Sequence, residues 1–306
     1  GLGAAAPVRA RGWVELDAAG HEHAPSAAEA KRLSALDSKE KQSLESLLDG
    51  RVKQLRGEGR LSPDERTAWT VYDFTTGEEL VSINEDVRLQ SASLVKPFLA
   101  LAYFHEVEAR RLRYDRRARE KMTLMIQRSD NRAADWVMRR LGGPARVQRL
   151  LKHTYPSMLK DLQIVEYIPR SGRTYRNKAS ARDYSRFLLA LWRDALPGSK
   201  EIKRLMGLPK RDRIYSGTDL PEDTGVMSKT GSTRHLCGDM GVLEARTADG
   251  REYPYAIVGL IEKRAPARHY IPWLRSRGNV IRDISGLVYR SIGQLHGFAP
   301  GELAAR

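Results

Sequence analysis

Apolar side chains at Leu44, Leu47, Leu48, Val52 and Leu55 recur at the spacing of one helix face. Asp37, with Glu40 three residues on, forms a capping box, so this helix is predicted to begin near Asp37. The period then falls to two. RTAWTVYDF (66–74) is rich in β-branched and aromatic residues, Thr75-Thr76-Gly77 supplies a turn, and EELVSI (78–83) returns as a hairpin partner. From residue 93 to about 205 the pattern is helical. Ala133, Val137 and Leu141 mark one helix closed by Gly142-Gly143-Pro144, and Ser180 with Asp183 caps another that buries Tyr184, Phe187, Leu188 and Leu191. Strands resume at 225–233, 237–245 and 253–262, the last two joined through Thr247-Ala248-Asp249-Gly250. A final helix carries Val280, Ile281, Ile284, Leu287, Val288, Ile292 and Leu295.

Strands at both ends of the chain with helices between them predict an α+β fold of the three-layer α/β/α sandwich type. Its mostly antiparallel sheet is assembled from residues 37–92 and 206–306, the helical part is 93–205, and a cleft forms where the two meet. Residues 1–36 are Ala-rich, hold two prolines and show no sustained period, so they read as an N-terminal extension to one domain over 37–306.

Composition narrows the class. With 306 residues, 41% hydrophobic and 30% charged, the chain is long enough to bury a substantial core. Its longest apolar run is too short for a transmembrane helix. Residues 1–10 lack the basic start and apolar centre of an intact signal peptide, and the chain does not begin with Met, which leaves export open. The formal charge is +15, but Arg and Lys are scattered in short clusters such as Arg110-Arg111, Arg116-Arg117 and Arg139-Arg140. That is not the stripe with stacking aromatics of a nucleic-acid binder, and a diffuse attraction to anionic cell-envelope polymers suits it. Cys237 is the only cysteine, which excludes an internal disulfide and a Cys-based zinc cluster. His21-Glu22-His23 reads as a solvated pair of histidines, and no metal or other cofactor is expected.

The chemistry lies in three short motifs. Ser93-Leu94-Val95-Lys96 opens an apolar helical run, but Ser-x-x-Lys also occurs at Ser38–Lys41 and Ser157–Lys160, so alone it decides nothing. Ser129-Asp130-Asn131 and Lys229-Thr230-Gly231 each occur once, at a helix start and within a returning strand. A serine hydroxyl needs a base within hydrogen-bond reach. Three residues along a helix turn a side chain by about 300°, so Ser93 and Lys96 share a face. Crowding by Lys229 together with partial desolvation makes neutral Lys96 accessible as that base. Pro97, in the first helical turn, forfeits at most one backbone bond. Ser129 is suited to passing a proton to a leaving nitrogen, Asn131 to bonding a substrate amide and Lys96, and Asp130 to bracing its loop. Lys229, Thr230 and Ser232 offer charge and hydroxyls to a substrate carboxylate, and Gly231 lets a substrate lie along the strand edge. Arg234 and His235 are further candidates for holding the carboxylate, and Cys237 reads as a small apolar strand residue.

In this order the three motifs are a recognised signature, and the chain resembles the penicillin-recognising serine hydrolases, most closely the class A β-lactamases, from about residue 38 to the last helix. The resemblance implies a Ser93 acyl-enzyme, an oxyanion hole from the backbone N–H groups of Ser93 and Ser232, and no cofactor. It also implies a β-lactam or peptidoglycan-derived small-molecule substrate, no nucleic-acid partner and a periplasmic or secreted location; the sequence leaves the oligomeric state open, with a monomer expected. Glu166, in QIVEYIPRSGRTYRNKAS, falls where the family carries its deacylation base, although Arg170 stands where an Asn usually follows. Only 36 positions separate Ser93 from Ser129, fewer than in typical class A enzymes, which predicts a more open cleft. The family reading expects a β-lactamase. A D,D-peptidase acting on stem peptides and a non-hydrolysing sensor are its alternatives.

Overall fold

A computed structural model of the chain describes residues 15–16, 22–23, 44–168 and 176–298. Gly1–Glu40 and Lys41–Arg306 are separate compact units. In the first, β1 (Glu15–Leu16) pairs antiparallel with β2 (Glu22–His23), a local order that the aperiodic sequence did not suggest. The second unit begins with α1, described over residues 44–57; the predicted capping box at Asp37 and Glu40 lies outside the described residues. Leu44, Leu48, Val52 and Leu55 are buried, but Leu47 is 50% exposed. At about 100° per residue, position 47 falls just over a quarter-turn off the centre of the face the other four define, which corrects its place in the predicted stripe.

The sheet has the strand order β4-β3-β9-β8-β7, with every neighbouring pair antiparallel. The strands are β3 (Glu65–Asp73), β4 (Glu78–Ile83), β7 (Gly225–Ser232), β8 (Leu236–Arg246) and β9 (Glu252–Lys263). Alternation divides its side chains between two cores. Trp69, Val71, Tyr255, Ile257 and Ile261 pack with α1 and with α8 (Tyr270–Leu295). Ala68, Ala256, Val258 and Leu260 face the helical block. Burial on both faces explains why β9 reads as an unbroken apolar run rather than an alternating one.

The block comprises α2 (Lys96–Glu108), α3 (Arg116–Gln127), α4 (Asn131–Arg140), α5 (Pro144–Thr154), α6 (Ala181–Trp192) and α7 (Ser199–Met206). Asp115, Asp130 and Ser180 cap α3, α4 and α6 by accepting the N–H of Ala118, Ala133 and Asp183. A small ladder interrupts the helices: β5 (Leu89–Gln90) pairs with β6 (Lys178–Ala179), strands too short to carry a legible period. Among the described residues no helix is long and apolar enough to cross a membrane.

Candidate active site

Ser93 sits in a single 3₁₀ turn, Ala92–Val95, that runs directly into α2. Pro97 occupies the first helical turn, where its missing N–H costs little. The turn is seated on the sheet by two glycines. Gly231 of β7 is paired with Gly238 of β8, and a Cβ on either would approach Leu94, to 2.7 Å of Cγ and 3.1 Å of Cδ1 respectively. Gly231 therefore clears room for the turn that carries Ser93, a nearer need than the substrate path expected from the sequence.

Lys96, the first residue of α2, is fully buried. Its Nζ lies 3.0 Å from Ser93 Oγ, 3.2 Å from Ser129 Oγ and 2.9 Å from Asn131 Oδ1, and it also donates to the Ser129 carbonyl. Burial pushes the amine down to about 7, against the opposing charges of Asp130 and Asp135. Ser129 holds φ at 56°, a left-handed conformation costing a serine about 1–2 kcal/mol. That conformation accompanies the turn of both its carbonyl and its hydroxyl toward Lys96. Asp130 braces the corner as expected, its carboxylate capping α4 at Ala133.

Lys229, on β7, is 1% exposed, and its Nζ donates to Ser129 Oγ at 2.9 Å and to the Thr230 carbonyl at 2.8 Å. The Ser129 hydroxyl thus stands between two amines. Burial first, and then the charge of Lys96, hold Lys229 well below the usual lysine range. β7 is an edge strand. Thr233 N–H bonds the Leu236 carbonyl across the hairpin, so by antiparallel alternation Thr230 and Ser232 turn their backbone groups to the open edge. Ser93, Asn131 and Ser232 line a cavity of about 40 Å³ together with Ala92, Ile168, Asn177 and Thr233.

Neither Glu166 nor Arg234 is among the residues lining the Ser93 cavity. The Glu166 carboxylate accepts the Arg176 N–H at 2.7 Å and lies 4.0 Å from the Arg176 guanidinium. Among the described residues of its loop, Ile168 and Asn177 line the Ser93 cavity. Three side chains fix that loop by its backbone: Gln148 accepts Ile164 N–H, Asn177 accepts those of Val165 and Glu166, and Asp135 accepts that of Ile168. Arg170 lies outside the described residues. The Arg234 guanidinium donates to the carbonyls of Ala267 and Arg268, and His235 Nδ1 lies 3.0 Å from the Lys263 carbonyl; neither residue lines the Ser93 cavity.

A residue the sequence did not single out stands beside Ser232. Arg213 donates to Ser232 Oγ at 2.6 Å and to the Gly238 carbonyl at 2.9 Å, and its N–H bonds the buried Asp239 carboxylate at 2.6 Å. Burial and then the nearby Asp212 push Asp239 up to about 6. Arg213 stands in a loop without periodicity, so only tertiary contact reveals it. Among the described residues no cluster of three His, Cys, Asp or Glu could hold a metal.

A serine, two buried amines and a bridging hydroxyl, set between an antiparallel sheet edge and a helical block, bring together the three motifs of the penicillin-recognising serine hydrolases. The profile of the β-lactamase enzyme family matches residues 52–292, and the chain belongs to that family. Among solved structures, PBP-A is 18% identical, with a TM-score of 0.65 over 84% of this chain and 96% of its own. A point variant of PBP-A, an acyl-enzyme complex with penicillin G, is 19% identical, with a TM-score of 0.64 over 84% and 97%. The ancestral class A β-lactamase GNCA is 20% identical, with a TM-score of 0.63 over 81% and 99%. At these identities the likeness is one of fold. No curated protein matches the chain in sequence.

Proposed function

We propose that the protein is a penicillin-recognising serine hydrolase in which Ser93 is acylated by a cyclic or peptide amide and the acyl-enzyme is released slowly, in the manner of a D,D-peptidase. The observation that carries the acylation half is the Ser129 hydroxyl bonded between the amines of Lys96 and Lys229, with Lys96 also on Ser93. Neutral Lys96 takes the Ser93 proton as Oγ attacks the carbonyl carbon. The oxyanion meets the backbone N–H groups of Ser93 and Ser232, each such donor contributing about 10²–10³ in rate. The proton then passes through Ser129 to the leaving nitrogen, the C–N bond breaks, and an ester on Ser93 remains. Lys229, Thr230, Ser232 and Arg213 hold the substrate carboxylate, whose negative charge favours the protonated form of Lys229 and leaves Lys96 neutral.

Slow release is supported by Ile168, an apolar side chain lining the Ser93 cavity on the loop where a water-activating carboxylate would be needed. The competing reading is a β-lactamase with Glu166 as base, favoured by family membership and by Glu166 lying only two residues from Ile168. The mass of the protein followed after a penicillin pulse separates them. A long-lived adduct on Ser93, with D-Ala released from a stem peptide, supports the proposal; adduct loss within seconds that Glu166→Ala abolishes establishes the lactamase. A substrate of this class places the protein outside the cytoplasmic membrane, and export is part of the proposal.

A further inference from the structure

A second cavity, of about 620 Å³, opens between the 211–213 segment, β7 at Thr230 and α8. Its lining carries Arg211, Arg213, Arg275 and Arg282 and a single carboxylate, Asp212. That carboxylate is already engaged: it accepts the N–H groups of Ile214, Tyr215 and Ser216 and the Ser216 hydroxyl. Arg213 and Arg282 are held by neutral acceptors, Arg213 by Ser232 Oγ and the Gly238 carbonyl, Arg282 by the carbonyls of Asp212 and Ser216 and by Asn279 Oδ1. Arg211 and Arg275 are exposed and form no hydrogen bond or ion pair with any described residue. Burial, then the charges of Arg211 and Arg213, push even the Arg282 guanidinium below its usual range. Four cations thus share one cavity whose lining carries a single carboxylate, Asp212.

Position supplies the chemistry. Ser129 hands its proton to the leaving nitrogen on the Lys229 side, and the Thr230 carbonyl accepts from Lys229. Thr230 also lines the arginine cavity, whereas Asn131, Asn177 and Thr233 line the small cavity beside Ser93. The leaving half of a substrate lying along the open edge of β7 therefore runs toward the arginines. We propose that this cavity is a second anion-binding subsite, taking an additional carboxylate on the leaving half of an acidic peptide substrate, distinct from the carboxylate held at Lys229 and Ser232. The assignment rests on the acyl-transfer reading of Ser93, since that reading fixes which half of the substrate lies at Thr230.

Binding without turnover tests it. Ser93→Ala protein is titrated calorimetrically at 0.15 M salt with two peptides that differ only in their last residue, D-Ala or D-Glu. The D-Glu peptide binds about tenfold tighter, as two exposed ion pairs of good geometry allow. Adding Arg211→Gln and Arg275→Gln removes that preference. Adding Arg116→Gln and Arg149→Gln instead, an equal loss of charge on exposed sites elsewhere, retains it. Equal binding of the two peptides, or a preference that survives the loss of Arg211 and Arg275, overturns the proposal. So does inorganic phosphate binding that depends on these arginines with no discrimination between the peptides, which would make the cavity a free-anion site. Failure of wild-type protein to be labelled at Ser93 by a fluorescent penicillin counts against the acyl-transfer reading instead, and the two failures are read separately.

Discussion

Lys96 Nζ lies within bonding distance of four oxygens, two of which, the Ser129 carbonyl and Asn131 Oδ1, can only accept. The two hydrogens of a neutral amine satisfy those two and leave its lone pair for a hydroxyl proton from Ser93 or Ser129. The geometry thus agrees with an amine pushed down to about 7. Acylation by penicillin should rise with pH through about 7 and level off above it, falling about tenfold per unit on the acid side; stopped-flow labelling across pH 5–9 measures this, and a flat profile refutes Lys96 as the base. Ile168 carries a second expectation. Ile168→Glu puts a carboxylate into the Ser93 cavity, and a working general base contributes about 10²–10⁴ in rate. Adduct lifetime by intact-protein mass should shorten at least tenfold, and an unchanged lifetime would mean that the cavity does not govern deacylation. Ser93, Lys96, Ser129, Asn131 and Lys229 were legible because each motif fixes its own local geometry and the three converge. Ile168 and Arg213 were not, because distance along the chain does not say which way a loop side chain turns.

At the scale of elements, the paired glycines of β7 and β8 decide where the Ser93 turn stands. A methyl group at position 231 would meet not only Leu94 Cγ but the Leu94 nitrogen and the Ser91 carbonyl, each at 3.2 Å, and backbone atoms cannot swing aside. Gly231→Ala should therefore cost about 1–3 kcal/mol of stability, the usual range for overpacking. It should also slow Ser93 labelling well beyond what that loss of folded protein explains; urea unfolding and labelling of the same preparation check both. Labelling at the wild-type rate would show that the turn can shift without consequence. The five main strands were legible to within a residue or so because burial on one or both faces leaves a β-branched and aromatic signature. The 3₁₀ turn and the β5–β6 ladder were not, since elements of two to four residues are set by contacts from distant segments, as when the Asn177 carbonyl accepts the Ser91 N–H.

Across the whole molecule, a sheet drawn from both ends of the chain must be closed by contacts of very long sequence separation, and one of them is charged. Glu65, at the start of β3, is 2% exposed and accepts from Arg277 and Trp273 of α8 and from the N–H of Ser62. Burial alone would raise its carboxyl, but the bonds from Arg277, Trp273 and Ser62 outweigh burial and hold it below the ordinary range. Its contribution is therefore present at neutral pH and is lost as pH falls through the unfolded carboxyl value of about 4.3 and on through the lower folded one. Arg277→Met strands the carboxylate inside the protein, so about 3–5 kcal/mol should disappear at pH 7. Near pH 4 the penalty should shrink, because the stranded group can then take up a proton. Glu65→Gln with Arg277→Met removes both charges and should recover much of the loss, as replacing a whole buried pair commonly does. Urea unfolding of the wild type, Arg277→Met, Glu65→Gln and the double variant at the two pH values closes the cycle. A penalty of the same size at both pH values would mean that Arg277 joins the two ends of the chain by packing and not by its charge.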